Sequence, residues 1–215
     1  MPTLAAAQAI RGIYAVTPDQ PDTAWLCERV RAILAGGARL VQYRAKTLTP
    51  AERARQAQAL RAVTGEAGAL LIVNDDVALA RDSGADGVHL GRDDAGVAAA
   101  RRALGPRMLI GASCYDQLEL AERALATGAD YIAFGSAYPS PTKPGAVRAP
   151  LSLYAEAKRR FGGPVVAIGG ITAANAAPLV AAGVDALAVI SALFDAADPR
   201  AAAAGLARCY SGGAA

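Results

Sequence analysis

Short apolar runs alternate along the chain with longer segments that mix alanine with charged residues. The short runs are rich in valine, isoleucine and leucine, whereas the longer segments carry apolar residues at helical spacing. This alternation predicts a strand followed by a helix, repeated eight times. The predicted strands cover residues 12–17, 40–44, 69–74, 87–90, 108–113, 131–134, 165–168 and 185–189.

A recurring phrase marks the return from helix to strand. It places a glycine where a helix must stop, just before an apolar strand, at Gly36-Gly37-Ala38, Gly84-Ala85-Asp86, Gly128-Ala129-Asp130 and Gly183-Val184-Asp185. Eight such units with nearly continuous apolar strands predict an α/β protein, a single-domain (β/α)8 TIM barrel over residues 1–215. An open doubly wound sheet is the alternative, but the early Gly-x-Gly-x-x-Gly turn typical of that fold is absent from the sequence.

The amino-acid composition argues against nucleic-acid and membrane partners. The net charge of +3 arises from 22 basic and 19 acidic residues that are scattered, and only 5% of residues are aromatic. Nucleic acid is therefore not an expected partner, and neither an export signal nor a membrane segment is indicated. The three cysteines, Cys27, Cys114 and Cys209, have no metal-ligand spacing. We interpret them as buried thiols of a cytoplasmic protein.

The end of the second predicted strand carries three polar residues at alternate positions. The two-residue period of a strand puts Gln42, Arg44 and Lys46 on one face and turns Val41 and Tyr43 toward the helices. Cations that converge in a barrel mouth are costly without an anion, although a solvated strand end would also have this pattern. This face is the first candidate anion site.

Acidic residues follow the next two strands. Asp75 and Asp94 lie on loops that neighbour the Arg44 strand, and Mg²⁺ takes one or two carboxylates besides water and phosphate. Each aspartate is also a common helix N-cap. His89 alternates with apolar neighbours, so we expect it to face the barrel as a hydrogen-bonded structural residue.

The last two strands carry the second candidate anion site. Strand seven ends in Gly169-Gly170, and strand eight ends in Ile190-Ser191 at the start of a helix. Glycine lets backbone N–H groups approach a phosphate, and a helix start adds positive potential. A glycine turn that serves only packing is the alternative.

A long loop follows strand six. Residues 135–145 contain three prolines, several hydroxyl groups and Lys143. A loop of this length is often an active-site lid, although an ordinary surface loop fits the composition equally well. Strand five contributes a single hydroxyl, Ser113, at its end.

These motifs together resemble the thiamine phosphate synthase family over nearly the whole chain and in order. The matching segments are Gln42-Tyr43-Arg44-Ala45-Lys46, Asn74-Asp75, His89-Leu90-Gly91-Arg92-Asp93-Asp94, Gly111-Ala112-Ser113, Ser140-Pro141-Thr142-Lys143, Ala167-Ile168-Gly169-Gly170-Ile171 and Val189-Ile190-Ser191. The resemblance implies a transferase that joins hydroxymethylpyrimidine diphosphate to a thiazole ethyl phosphate, with Mg²⁺ as cofactor, and releases pyrophosphate before the new bond forms.

The resemblance also implies a role for each matching residue. Residues that would hold the pyrimidine diphosphate are Gln42, Arg44, Lys46 and Asn74, with Asp75 and Asp94 on Mg²⁺. Residues that would hold the thiazole phosphate are Ser140, Thr142, Gly170, Ile190 and Ser191. Lys143 would act on the departing pyrophosphate, and Ser113 would act beside the pyrimidine; these two are the expected catalytic residues.

Three residues depart from the family pattern. Ser140 stands where threonine is more frequent, Arg92 where glutamine often occurs, and Tyr115 where a histidine often follows the strand-five serine. A related thiazole tautomerase uses that histidine, so Tyr115 argues against this alternative, an isomerase on the same barrel. A non-catalytic thiazole phosphate binder would not need the first anion site. The expected partners are therefore small-molecule substrates. The sequence leaves open whether the chain forms a homo-oligomer.

Overall fold

Eight parallel strands close into a barrel in chain order in the computed structural model, which describes residues 9–91, 96–140 and 145–211. The α/β (β/α)8 barrel is thereby confirmed, and the open sheet is excluded because β1 pairs with β8. The strands are β1 Gly12–Val16, β2 Leu40–Tyr43, β3 Leu70–Asn74, β4 Gly87–Leu90, β5 Leu109–Tyr115, β6 Tyr131–Phe134, β7 Val165–Ile168 and β8 Ala186–Val189.

Helices cover the outside of the barrel between successive strands. Their bounds are α1 Thr23–Ala35, α2 Pro50–Glu66, α3 Val77–Asp82, α4 Val97–Leu104, α5 Leu118–Ala126, α6 Leu151–Phe161, α7 Ala177–Ala181, α8 Ser191–Phe194 and α9 Pro199–Ser211. Helix α2 begins with a capping box, in which the Thr49 side chain accepts from the Glu52 N–H and the Glu52 carboxylate accepts from the Thr49 N–H. This start limits the loop after β2 to a few residues.

Several observed strand bounds differ from the predicted ones by one or two residues, and two of these differences have identifiable reasons. Strand β2 ends at Tyr43 because the N–H of Arg44 donates to the side chain of Thr17, 2.8 Å away, and not to a neighbouring backbone carbonyl. Strand β5 continues to Tyr115 because its register on β6 shifts between Ser113 and Tyr115, which is a bulge. Tyr115 has a φ of +54°.

The strands separate two buried clusters. Tyr14, Leu40 and Tyr131 belong to the cluster that fills the barrel, whereas Val41 and Tyr43 belong to the cluster under the helices. The alternation predicted for the second strand is thus confirmed at Val41 and Tyr43. Because the interior is packed with side chains, substrates can enter only at an end of the barrel.

The recurring helix-to-strand phrase has a structural reason beyond its glycine. In three of the four copies an aspartate carboxylate accepts from an N–H of the preceding strand and pairs with a cation from the helix before that strand. The groups are Asp86 with Leu71 N and Arg61, Asp130 with Ile110 N and Arg101, and Asp185 with Val165 N and Lys158. These aspartate–cation pairs lie at the starts of strands, on the face of the barrel that contributes to stability and not to catalysis.

The cysteines only partly follow the expectation. Cys27 and Cys114 are buried, but Cys209 is half-buried, because α9 covers the barrel as its last helix and leaves part of this side chain at the surface. All three are free thiols. Within the described ranges, every helix is too short or too polar to cross a lipid bilayer.

Candidate active site

The polar face of β2 opens at the carboxyl end of the barrel. Gln42 is buried and its Nε2 donates to the Tyr14 hydroxyl, 3.0 Å away inside the barrel. Arg44 is half-buried and Lys46 is exposed at the rim. The face therefore runs from the packed interior at Gln42 to solvent at Lys46, as an anion site at a barrel mouth requires.

A chain of hydrogen bonds crosses the barrel beneath this face. From Gln42 it passes through the Tyr14 and Tyr131 hydroxyls, which lie 2.9 Å apart. Tyr131 contacts His89 Nδ1 at 3.1 Å, and His89 Nε2 lies 2.9 Å from Ser113 Oγ. His89 is thus hydrogen-bonded at both ring nitrogens inside the barrel, as expected. The whole chain connects Gln42 with Ser113, which lie at the ends of different strands.

The two tyrosines of this chain were missed from the sequence. Burial raises the pKa of Tyr14 and of Tyr131 above that of a free phenol, so both hydroxyls keep their protons at neutral pH. Each tyrosine lies at an inward position of its strand. A polar-tipped residue at such a position is the signal that would have found them.

Asp75, in the loop after β3, contacts residues from two neighbouring loops. Its φ of +65° is unusual for a residue other than glycine, although aspartate tolerates this region better than most. Its Oδ2 accepts from Asn74 Nδ2 at 2.6 Å and lies 3.7 Å from Lys46 Nζ, while its Oδ1 accepts from Gly91 N at 3.3 Å. One carboxylate thereby joins the loops after β2, β3 and β4.

The helix N-cap, which the sequence also allowed as the role of Asp75, is formed by the adjacent Asp76. Asp76 is the N-cap of α3, because its side chain accepts from the Leu79 N–H at 2.9 Å, and it also pairs with Arg53. Asp75 has no capping contact of this kind, and its carboxylate points at the Lys46 ammonium instead. The two adjacent carboxylates therefore have different tasks.

The glycine turn after β7 supports the loop after β6. Gly169 and Gly170 have φ values of +106° and +61°. A Cβ on Gly170 would collide with the backbone of Pro139, and the N–H of Tyr138 donates to the Gly169 carbonyl at 3.0 Å. The glycines are thus required by contact with the strand-six loop, in addition to any role toward a phosphate.

Asn175 fastens the same turn from the other side. Its Nδ2 donates to the Gly170 carbonyl at 2.9 Å, and its own carbonyl accepts from the Tyr138 hydroxyl at 2.7 Å. Ile190 and Ser191 follow β8, the strand next to β7, and both are half-buried. The structure brings the predicted residues of the second anion site to adjacent strand ends.

The remaining predicted residues divide into two groups. Ser140 is half-buried on the strand-six loop, and Ser113 lies inside the mouth. Asp94, Thr142 and Lys143 lie outside the described residues, as does Arg92.

Mg²⁺ fits the donor set of this mouth. Asp75 offers carboxylate oxygens at a partly exposed position beside a lysine, and Mg²⁺ needs only one or two carboxylates because water and phosphate complete its shell. Among residues 9–91, 96–140 and 145–211 there is no group of three acidic, histidine or cysteine side chains that could hold a metal ion unaided. The donor set suits an ion that arrives with a phosphate ligand.

Comparison with known proteins decides the family. The model of the thiamine monophosphate synthase family matches residues 13–193. The chain belongs to this family. A thiamine-phosphate synthase of Thiobacillus denitrificans is 59% identical over 199 residues, which are 93% of this chain and 94% of the relative. That of Chromobacterium violaceum is 58% identical over 198 residues, covering 92% and 95% of the two chains.

Solved structures agree with this membership. The thiamine phosphate pyrophosphorylase of Pyrococcus furiosus superposes with a TM-score of 0.85 at 36% identity, and the match covers 95% of this chain and 97% of the other. A 3-hexulose-6-phosphate synthase, with a TM-score of 0.70 and 20% identity, shares the fold. Relatives at 58–59% identity over more than nine-tenths of both chains are named thiamine-phosphate synthases, so the chain is an enzyme and the non-catalytic binder is not supported.

Within the family, Tyr115 is the departure that the structure describes most fully. Its carbonyl accepts from the Gly135 N–H at 2.9 Å, so the residue ties the end of β5 to the start of the strand-six loop. Its pairing with Phe134 across the bulge fixes the same junction. Both contacts belong to the main chain, so they fix this junction without explaining why a tyrosine side chain stands here.

Proposed function

We propose that this enzyme joins hydroxymethylpyrimidine diphosphate to thiazole ethyl phosphate and yields thiamine phosphate and pyrophosphate; the carboxylated thiazole would give the same products with loss of its carboxyl group as CO2. One observation carries the proposal: Lys46, Asn74 and Asp75 gather at the ends of β2 and β3, while the Gly170 turn lies at the end of β7. Two phosphorylated substrates need two separate anion sites, and relatives above 50% identity are named for thiamine phosphate synthesis.

The first site would take the pyrimidine diphosphate. Arg44 and Lys46 supply positive charge and Asn74 supplies an amide, while Gln42 faces the interior, where the ring would lie. Ser113 reaches the same interior through His89. Because both tyrosines beneath keep their protons, they add no negative charge next to the diphosphate.

The second site would take the thiazole phosphate. Backbone N–H groups at Gly170, Ile190 and Ser191 would bind the phosphate, and Ser140 and Thr142 would face the ring. Since β8 lies between β7 and β1 in the closed barrel, both substrates would share one mouth with their rings toward its centre.

Asp75, together with Asp94, would hold Mg²⁺ beside the diphosphate. The ion would supply charge neutralisation to the leaving group. Lys46 already lies beside Asp75, so a diphosphate entering here would meet a lysine and a carboxylate-bound cation together.

The proposed chemistry is dissociative. The bond between the pyrimidine methylene carbon and the diphosphate oxygen breaks, and pyrophosphate keeps the electron pair. The lone pair of the thiazole nitrogen then forms the new bond to the methylene cation. No protein nucleophile or proton transfer is needed in this step, so the chain contributes orientation of the two rings and cations such as Lys143 for the leaving group.

A cytoplasmic location accords with three free thiols. The test of the function is direct: purified protein is incubated with both phosphorylated substrates, with and without Mg²⁺, and thiamine phosphate is quantified by chromatography. The proposal requires Mg²⁺-dependent product from the pair and none from either substrate alone. Isomerisation of a thiazole phosphate without the pyrimidine substrate would instead support the tautomerase alternative.

A further inference from the structure

The loop after β2 is held in place by side chains that follow β1. Thr17 is fully buried, and its N–H donates to the Gln42 carbonyl at 2.9 Å, continuing the strand pairing by one residue. Its hydroxyl accepts from the Arg44 N–H at 2.8 Å and lies 3.2 Å from the Arg44 carbonyl, to which it donates. One threonine hydroxyl thus replaces the strand ladder at Arg44.

Asp19 holds the same loop two residues farther on. Its Oδ1 accepts from the N–H groups of Lys46 and Thr47 at 3.1 and 3.3 Å, and from the Thr47 hydroxyl at 3.0 Å. Its Oδ2 lies 3.2 Å from the Lys46 N–H. The carboxylate therefore binds the backbone of Lys46, while the ammonium of that lysine is turned toward Asp75.

Residues 44–47 belong to neither a strand nor a helix, so their backbone has no regular ladder to fix it. Thr17 and Asp19, the strand-one clamp, supply the missing hydrogen bonds at the two positions that carry the cations of the first anion site. A long cationic side chain binds a diphosphate more tightly when the backbone of its residue is already fixed, because less conformational entropy is lost on binding.

We propose that Thr17 and Asp19 are positioning residues for the diphosphate site, acting through the backbones of Arg44 and Lys46. This inference rests on the proposed function for the identity of the substrate. A clamp that served only stability would weaken the fold and leave the two anion sites equally affected. A positioning clamp weakens the diphosphate site alone.

Asp19→Ala is the principal test, with inorganic pyrophosphate and Mg²⁺ as the calorimetric probe. We expect pyrophosphate binding to weaken about fivefold to twentyfold, with a similar rise in KM for the pyrimidine diphosphate. The KM for the thiazole phosphate should stay within about twofold, since that site lies on β7 and β8. Asp19→Asn keeps one acceptor oxygen and should recover part of the loss.

Asp22→Ala is the matched control. Asp22 follows Asp19 by three residues and caps α1 by accepting from the Trp25 N–H at 3.0 Å, without contact to residues 44–47. This variant should lower the melting temperature and leave pyrophosphate affinity unchanged. Thr17→Val should reproduce the Asp19→Ala result, and Thr17→Ser, which keeps the hydroxyl, should restore wild-type affinity.

Wild-type pyrophosphate affinity in folded Asp19→Ala would overturn the inference, and so would equal weakening of both sites. Wild-type protein that binds pyrophosphate but makes no thiamine phosphate would refute the proposed function alone, and the clamp would be judged by the Asp19→Ala titration. Wild-type protein that binds no pyrophosphate would overturn both.

Discussion

Asp75 Oδ2 lies 3.7 Å from Lys46 Nζ across the ends of β3 and β2. More than half of the lysine side chain is exposed, so the pair adds little to the free energy of folding. Its consequence is positional, because it keeps a cation and a carboxylate side by side at the mouth. A diphosphate with Mg²⁺ needs both charges in this arrangement.

Asp75→Asn should lower turnover roughly tenfold to a thousandfold, because the amide is a weak ligand for Mg²⁺. The fold should persist, since the one amide oxygen still accepts from either Asn74 or Gly91 and the site is partly exposed. Asp76→Asn is the control: its amide oxygen can still cap α3, but the charge that pairs with Arg53 is lost, so it should lower stability slightly and spare turnover. Full Mg²⁺-dependent activity in Asp75→Asn would remove Asp75 from the metal site. The same assay on Asp94→Asn tests the second proposed ligand.

Gly170→Ala should raise KM for the thiazole phosphate and lower kcat, because the new methyl group displaces Pro139 and the loop beyond it. Gly68→Ala is the matched control, since Gly68 has nearly the same φ, +62°, with open space around its Cβ position. Gly68→Ala should lose about 1 kcal/mol of stability from backbone strain, and Gly170→Ala should lose more because Pro139 must also shift. Only Gly170→Ala should lose activity, and pyrophosphate binding should stay close to wild type. Equal activity in the two variants would contradict a role of the turn.

Lys143→Ala should lower kcat more than it raises KM, because charge on the leaving pyrophosphate is greatest in the transition state. Single-turnover kinetics at saturating substrates measures the chemical step. Arg159→Ala removes one charge from the exposed face of α6 and serves as control. A rise in KM at constant kcat would make Lys143 a binding residue, and an unchanged chemical step would end its proposed leaving-group role.

Asp130→Ala should destabilise the protein by about 2–3 kcal/mol, because it strips the acceptor from the buried Ile110 N–H and the partner from Arg101. Specific activity of the folded fraction should be unchanged, since the pair of Asp130 with Arg101 lies on the barrel face opposite the site. Denaturant unfolding measures the loss. Asp82→Ala, which breaks a fully surface pair with Arg81, should leave the unfolding midpoint in place. Lost activity at full stability would contradict this assignment.

The pattern of the sequence was sufficient for the barrel because each strand is buried on both sides and each return carries its glycine. It also located Asp75 and Gly170, since polar residues and paired glycines at strand ends stand out against apolar runs. Contacts between distant segments could not be derived in this way. Tyr14 and Tyr131 are 117 positions apart, and no local period indicates that their hydroxyls meet.

Other features depend on geometry that only the closed barrel creates. Asp19 follows its strand like many surface aspartates, and its hold on Lys46 arises because β1 and β2 are neighbours. The sequence left open whether the Gly170 turn serves a phosphate or only packing, and the close approach of Pro139 to Gly170 depends on how the strand-six loop folds back. The bulge in β5 likewise reflects its pairing with β6.

The most direct test of the account follows both substrates and both products in one tube by phosphorus NMR. With Mg²⁺ and thiazole ethyl phosphate present, the diphosphate ester signals should disappear while pyrophosphate and thiamine phosphate appear at equal rates. Persistence of the diphosphate ester, or isomerisation of the thiazole phosphate without release of pyrophosphate, would contradict the proposed reaction.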